Sequence, residues 1–245
     1  TAPGGYPSRS WGAGGFAREV GTPAQAAAAV ADLAAAGVDL VKLALEPAGG
    51  APVPAAAVCR AVVAAAHRAG LPVTAHALSA VMVTRALDAG VDELCHTPTE
   101  RLPAALVDRL AAAGTPVVST LRTLTAGGAP GAEAAVRGNA AALVAAGVPL
   151  VYGTDLGNAA TAPGADPVEL ALLADAGLGA WGALRAATAP VRVGEPAAAV
   201  LLPADPVADP QAWRRPLAVL AGRRCHTYGV TGPGEPGPAG PSGPR

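Results

Sequence analysis

The chain has 245 residues, a formal net charge of −1, 51% hydrophobic residues and 3% aromatics. That suffices for one large domain, or one domain with a small appendage; the near-neutral balance without basic clusters argues against nucleic acid as a partner. Three cysteines without paired spacing (Cys59, Cys95, Cys225) argue against a disulfide framework and point to a reducing, cytoplasmic setting, and no uncharged apolar run is long enough to span a bilayer, so no membrane partner is expected.

In chain order, residues 1–21 are rich in glycine and proline, carry Trp11 and Phe16, and read as a loop region. The chain starts at Thr1 and not at a methionine. Thr22, Pro23 and Gln25 then form a helix-start signal: a capping hydroxyl, a proline suited to the first turn and a capping-box partner. From there one phrase recurs five times, an alanine-rich helix, a glycine (Gly37, Gly70, Gly90, Gly114, Gly147) and a short apolar strand. Each glycine suits the left-handed position that closes a helix. Strands alternating with helices over short links predict a parallel sheet, and near-continuous apolar strands predict that both faces are covered. No strand runs into a GxGxxG or a P-loop, so a (β/α) barrel is favoured over a nucleotide-binding doubly wound sheet. The expected organisation is a partial barrel over 22–195, a small β subdomain over 196–228 with strands near 197–202 and 217–221, and a disordered Gly/Pro/Ser tail over 229–245.

The chemistry-bearing residues fall at one place in each phrase. Lys42, the only lysine, lies in the apolar run Val38–Leu45, which reads as a buried strand. A lysine amine there can deprotonate, form a Schiff base or take up carbon dioxide, none of which a guanidinium does. His76, His96 and Asp155 sit toward the carboxyl ends of the second, third and fifth strands, the face that carries chemistry in barrels. A lysine, two histidines and an aspartate delivered to one rim make a metal-ligand set. Strand alternation places Cys95 and His96 on opposite faces, so Cys95 reads as packing, and it places Gly153 and Asp155 on one face, with Gly153 leaving space beside the carboxylate. His67 reads as a helix-terminal residue and His226 as incidental. Tyr6, Trp11, Arg122 and Tyr152 are candidate pocket residues that nothing in the sequence ranks.

From about residue 30 to about residue 225 the chain resembles the amidohydrolase superfamily, particularly its imidazolonepropionase-like and prolidase-like branch. The resemblance rests on Val38-Asp39-Leu40-Val41-Lys42, Val73-Thr74-Ala75-His76, Glu93-Leu94-Cys95-His96-Thr97-Pro98 and Tyr152-Gly153-Thr154-Asp155 in that order, followed by a helix pair ending near Thr188 and a return to a small β subdomain at Val200–Pro206. It implies a (β/α)8 TIM-type barrel that hydrolyses amide or related bonds with one or two bound divalent ions, zinc being expected. By that analogy Lys42 is carboxylated and bridges two metals, His76 and His96 bind the second metal, and Asp155 binds metal and serves as general base. The chain departs from the family in having no His-x-His pair, in showing five barrel phrases where eight are needed, and in carrying Tyr6 where relatives often have histidine. An amino-terminally incomplete sequence is therefore expected, the missing N-terminal segment being a lost start, a separate chain or a genuine truncation; the alternative partner expectation is a homo-oligomer. The leading expectation is a metal-dependent hydrolase of a cyclic amide, dipeptide or related C–N bond in a small molecule. Two other readings stay open: a Schiff-base lyase or aldolase using Lys42, and an inactive fragment of the family lacking the His-x-His strand.

Overall fold

The computed structural model describes residues 1–126, 131–158, 161, 164–188, 197–222 and 224–227; the tail expected at 229–245 lies outside them. Two compact units are present, one made of 1–162 and 168–187, the other of 163–167 and 188–245.

The first unit holds helices α1 (Pro23–Ala35), α2 (Ala56–Arg68), α3 (Ala80–Ala89), α4 (Ala104–Ala113), α5 (Leu121–Ala126), α6 (Ala132–Ala145), α7 (Pro167–Leu173, all but its first residue) and α8 (Gly179–Ala186). Its strands are β1 (Val41–Ala44), β2 (Val73–His76), β3 (Glu93–Leu94), β4 (Val117–Val118) and β5 (Leu150–Val151). They form one parallel sheet in the order β1-β2-β3-β4-β5. This is the barrel-type α/β architecture expected from the repeated phrase, with five of its strands.

The helix boundaries follow from local chemistry. The Thr22 hydroxyl accepts the Gln25 amide at 3.2 Å, while the Gln25 side chain accepts the Gly21 amide at 2.8 Å. The reciprocal pairing of a capping box is therefore present, displaced by one residue. Ser79 caps α3 by accepting the Met82 amide. All five phrase glycines have φ between 62° and 83°, where a side chain would be strained, so each turns the chain out of its helix toward the sheet.

The core lies between the helices and one face of the sheet. Val30, Val62, Val83, Leu110, Val136 and Leu143 from helices meet Leu43, Val73, Leu94, Val117 and Leu150 from strands, all buried. Burial of side chains this size stabilises by about 1.5–3 kcal/mol each. Continuous burial, expected for every strand, holds for central β2 and fails at both edges. Val151 of β5 is 37% exposed, and Lys42 of β1 is exposed. The reason at Lys42 is alternation on an edge strand: Val41 and Leu43 take the helix-covered face, and Lys42 takes the other. The buried setting expected for Lys42 is corrected accordingly.

In the second unit, β6 (Ala197–Leu201), β7 (Ala218–Gly222) and β8 (Arg224–Thr227) form an antiparallel sheet in that order. The sequence indicated the first two strands and missed the third. Among the described residues no helix is long and apolar enough to cross a membrane.

Asn139, 1% exposed on α6, ties the loop after β3 to the helix layer. It accepts the Leu102 amide at 3.0 Å and donates to the carbonyls of Pro98 at 2.9 Å and Glu100 at 2.7 Å. Asn139→Ala strands these groups, at about 1–3 kcal/mol for each left unsatisfied. A urea-unfolding midpoint equal to that of the native chain would contradict this role; the expected loss is about 2–4 kcal/mol.

Candidate metal centre

The parallel register decides which side chains can meet. Lys42 pairs with Thr74 and Ala44 with His76 between β1 and β2; Thr74 pairs with Glu93 and Ala75 with Leu94 between β2 and β3. One step further along, Cys95 falls beside His76, and the Cys95 amide still bonds the Ala75 carbonyl at 3.0 Å. Ladder pairing ends at Leu94, and the chain bends at Cys95 and His96. The alternation that set these two residues on opposite faces therefore no longer applies. Donor atoms of His76, Cys95 and His96 all lie within 4.8 Å of one another, so the expectation that Cys95 packs elsewhere is corrected.

The two imidazoles meet edge to face, with centroids 4.7 Å apart and planes at 77°. Both are buried, at 7% exposure for His76 and 5% for His96. A separate polar side chain addresses each ring. His76 Nε2 faces Glu46 Oε2 at 3.3 Å, and His96 Nδ1 lies 3.0 Å from Thr120 Oγ1. Neither Glu46 nor Thr120 was singled out as a partner of these rings: Glu46 follows the strand in a loop, and Thr120 reads in sequence as a plain strand end. Tyr6 stacks obliquely on His76 at 5.1 Å and accepts the Trp11 indole N–H at 3.2 Å.

Burial pushes the His76 pKa down to about 3, helped by the nearby charges of His96 and Lys42 and opposed by Asp155. Burial and then Lys42 bring His96 down to about 4. Burial raises the Cys95 thiol to about 11, with Lys42 opposing and Asp155 reinforcing. Glu46 is raised by burial, against a hydrogen bond from the Ala48 amide. Lys42 and Asp155 thus both act on the cluster, and at neutral pH both imidazoles are uncharged, the state in which they bind metal.

Asp155 itself is exposed and lies four residues beyond the end of β5, at φ 53°. Strand alternation does not reach it. Gly153 serves another purpose than the one expected, because a Cβ there would run into the Val118 side chain. Asn158 donates to Asp155 Oδ2 at 2.9 Å and to the Asp155 carbonyl at 2.8 Å, which holds the carboxylate in place. Thr120, at φ 45°, is the other non-glycine residue in this backbone region among the described residues. Such positions cost about 1–3 kcal/mol each and persist where surrounding bonds over-determine them. At Thr120 its amide bonds the Gly153 carbonyl at 3.0 Å, and its hydroxyl meets His96. Arg122 sits on α5, its amide donating to the fully buried Glu169. His67 pairs with Asp92 at 2.8 Å on the exposed end of α2.

No known family profile matches the sequence, and no curated protein matches it. Solved structures do. A Xaa-Pro dipeptidase with methionine bound in its active site superposes with a TM-score of 0.76 at 21% identity, over 92% of this chain and 65% of that one. A prolidase complexed with N-methylphosphonate-L-proline gives 0.72 at 24% identity, over 86% and 60%. A structure described as an amidohydrolase gives 0.68 at 19% identity, over 87% and 60%. The fold is the one shared by these dipeptidase, prolidase and amidohydrolase structures. The chain spans less than two thirds of the length of these amidohydrolase-fold structures.

The donor set at this rim has the chemistry of a candidate metal site. It combines two neutral imidazoles and a thiol within 4.8 Å, each imidazole addressed on one nitrogen by a separate partner.

The neutral imidazoles carry a linkage consequence. Their folded pKa values lie below the ordinary 6.5, so the unfolded chain takes up these protons first. Their contribution to stability is full above pH 6.5, declines as pH falls below that value, and is fully lost once pH has fallen through about 4 and about 3. For the metal-free protein, the urea midpoint should fall across that window more steeply than for His76→Gln/His96→Gln. Equal slopes would mean that the imidazoles are not buried neutral.

Proposed function

We propose that this chain carries the metal-binding part of a hydrolase acting on a C–N bond of a cyclic amide, dipeptide or similar small carbonyl substrate. The observation that supports this most directly is the His76–His96 pair at adjacent strand ends: buried, uncharged, and set with Cys95 around one point. The similarity to dipeptidase, prolidase and amidohydrolase structures supports the same class of bond.

In this reading His76 and His96 hold the ion, with Asp155 and a carbon-dioxide adduct of Lys42 completing the set. A divalent ion held there supplies Lewis acidity, polarising a carbonyl and making water nucleophilic near neutral pH. Asp155 accepts the proton of the attacking water; its exposure lets solvent reach it, and Asn158 orients it. Glu46 and Thr120 orient the imidazoles. A cavity of ≈260 Å³ beside the centre is lined by Tyr6, Trp11, Lys42 and His76 together with the apolar side chains of Val30 and Leu40. Its size fits a small substrate with an apolar part.

Asp155→Asn should keep the bound metal and lower kcat for Xaa-Pro dipeptide or N-acyl amide hydrolysis by about 10²–10⁴-fold. Full activity with metal retained would remove Asp155 from proton transfer. Borohydride treatment in the presence of substrate should leave Lys42 unmodified; a reduced adduct on Lys42 would favour Schiff-base chemistry instead.

A further inference from the structure

The metal set implied by family resemblance contains no cysteine, yet the cluster assembled by this sheet does. We propose that Cys95 is itself a metal ligand, so that His76, Cys95 and His96 together hold one thiolate-preferring divalent ion such as zinc. The inference rests on the metal-binding reading above and adds to it a ligand and a preference among metals.

Three observations carry it. The register sets Cys95 in the row of His76, on the strand directly beside it. Its sulfur lies within 4.8 Å of a donor nitrogen on each histidine. Each ring keeps one nitrogen uncommitted by these contacts, since Glu46 takes His76 Nε2 and Thr120 takes His96 Nδ1. A tetrahedral zinc site has nitrogen–nitrogen and nitrogen–sulfur edges of about 3.4–3.6 Å. The cluster thus needs to close by about 1 Å, within reach of side-chain rotation. The buried thiol of Cys59 provides the contrast. Cys59 on α2 lies against the Pro54 carbonyl at 3.5 Å and belongs to no such group among the described residues.

On binding, the Cys95 S–H bond breaks heterolytically, its electron pair goes to the sulfur–metal bond, and the proton leaves to solvent. One protein anion then offsets part of the ion's charge. A thiolate in the set also selects zinc or cobalt over magnesium and manganese, which prefer oxygen ligands.

The test loads the full 245-residue chain with Co²⁺ after chelation and reads the absorption spectrum. Expected are one bound cobalt and a thiolate-to-cobalt charge-transfer band in the near ultraviolet. The band should survive in Cys59→Ala/Cys225→Ala. In Cys95→Ser it should vanish, with zinc affinity reduced at least about tenfold. Cobalt binding without the band, or a band that persists in Cys95→Ser, overturns Cys95 as ligand while leaving the histidine site intact. Failure of the native chain to bind cobalt overturns the metal reading itself. A readout independent of the folding of Cys95→Ser is alkylation of the native chain by iodoacetamide, mapped by mass spectrometry. Zinc should protect Cys95; equal modification with and without zinc overturns the proposal.

Discussion

The parallel pairing of β2 with β3 is the constraint on which the candidate centre depends. Its register sets His76 and Cys95 side by side, and the end of pairing after Leu94 frees the chain to bend and bring His96 into the same cluster. A shift of register by one residue would move every strand side chain to the opposite face and disperse the cluster. What holds the register is ordinary packing: Leu43, Val73, Leu94 and Val117 pressed against the helices, with left-handed glycines returning each helix to the sheet at the right point. The chemistry at the rim thus rests on an apolar layer that contains none of it.

Above that layer the backbone stops being regular. Thr120 and Asp155 adopt positive φ just past the short strands β4 and β5. Each is held by bonds that also reach a side chain of the candidate site. Thr120 is tied to Gly153 through its backbone and to His96 through its hydroxyl, and Asp155 is tied by Asn158 at both carboxylate and carbonyl. Strain located where two side chains must be aimed, and compensated by local hydrogen bonds, is the pattern expected of a site in which position counts for more than local stability. Glu169 extends the scheme to the helix layer. Fully buried, it accepts the amides of Leu121 and Arg122 at the start of α5, directly after Thr120.

Much of this was legible in the residues. The repeated helix–glycine–strand phrase foretold the parallel sheet, its five strands and the left-handed glycines. Two-residue alternation failed at Cys95, Gly153 and Asp155 for one common reason: β3 and β5 are two residues long, and each of these positions lies outside them. Apolar runs such as Val148–Tyr152 announce a strand without announcing where its pairing ends. Glu46, Thr120 and Asn139 were missed because their roles are long-range, reaching partners on other phrases that no local spacing encodes. Lys42 was correctly marked as unusual but wrongly buried, since an apolar run does not reveal that its strand lies at an edge.

The electrostatics decide between two uses of a buried histidine pair. Imidazoles that exchange protons during catalysis work best with pKa values near the working pH. His76 and His96 are held at about 3 and about 4, far below it. Burial is the larger cause at both, and the Lys42 charge pushes each the same way, while Asp155 offsets little at His76. The pair is therefore poor as an acid–base dyad and well disposed as a donor set, its lone pairs unprotonated and one nitrogen of each ring occupied by a neighbour. In the proposed reading proton transfer is assigned to Asp155, whose carboxylate is exposed to solvent. A division into buried neutral donors and a solvated carboxylate follows from burial alone, before any ion or substrate is considered.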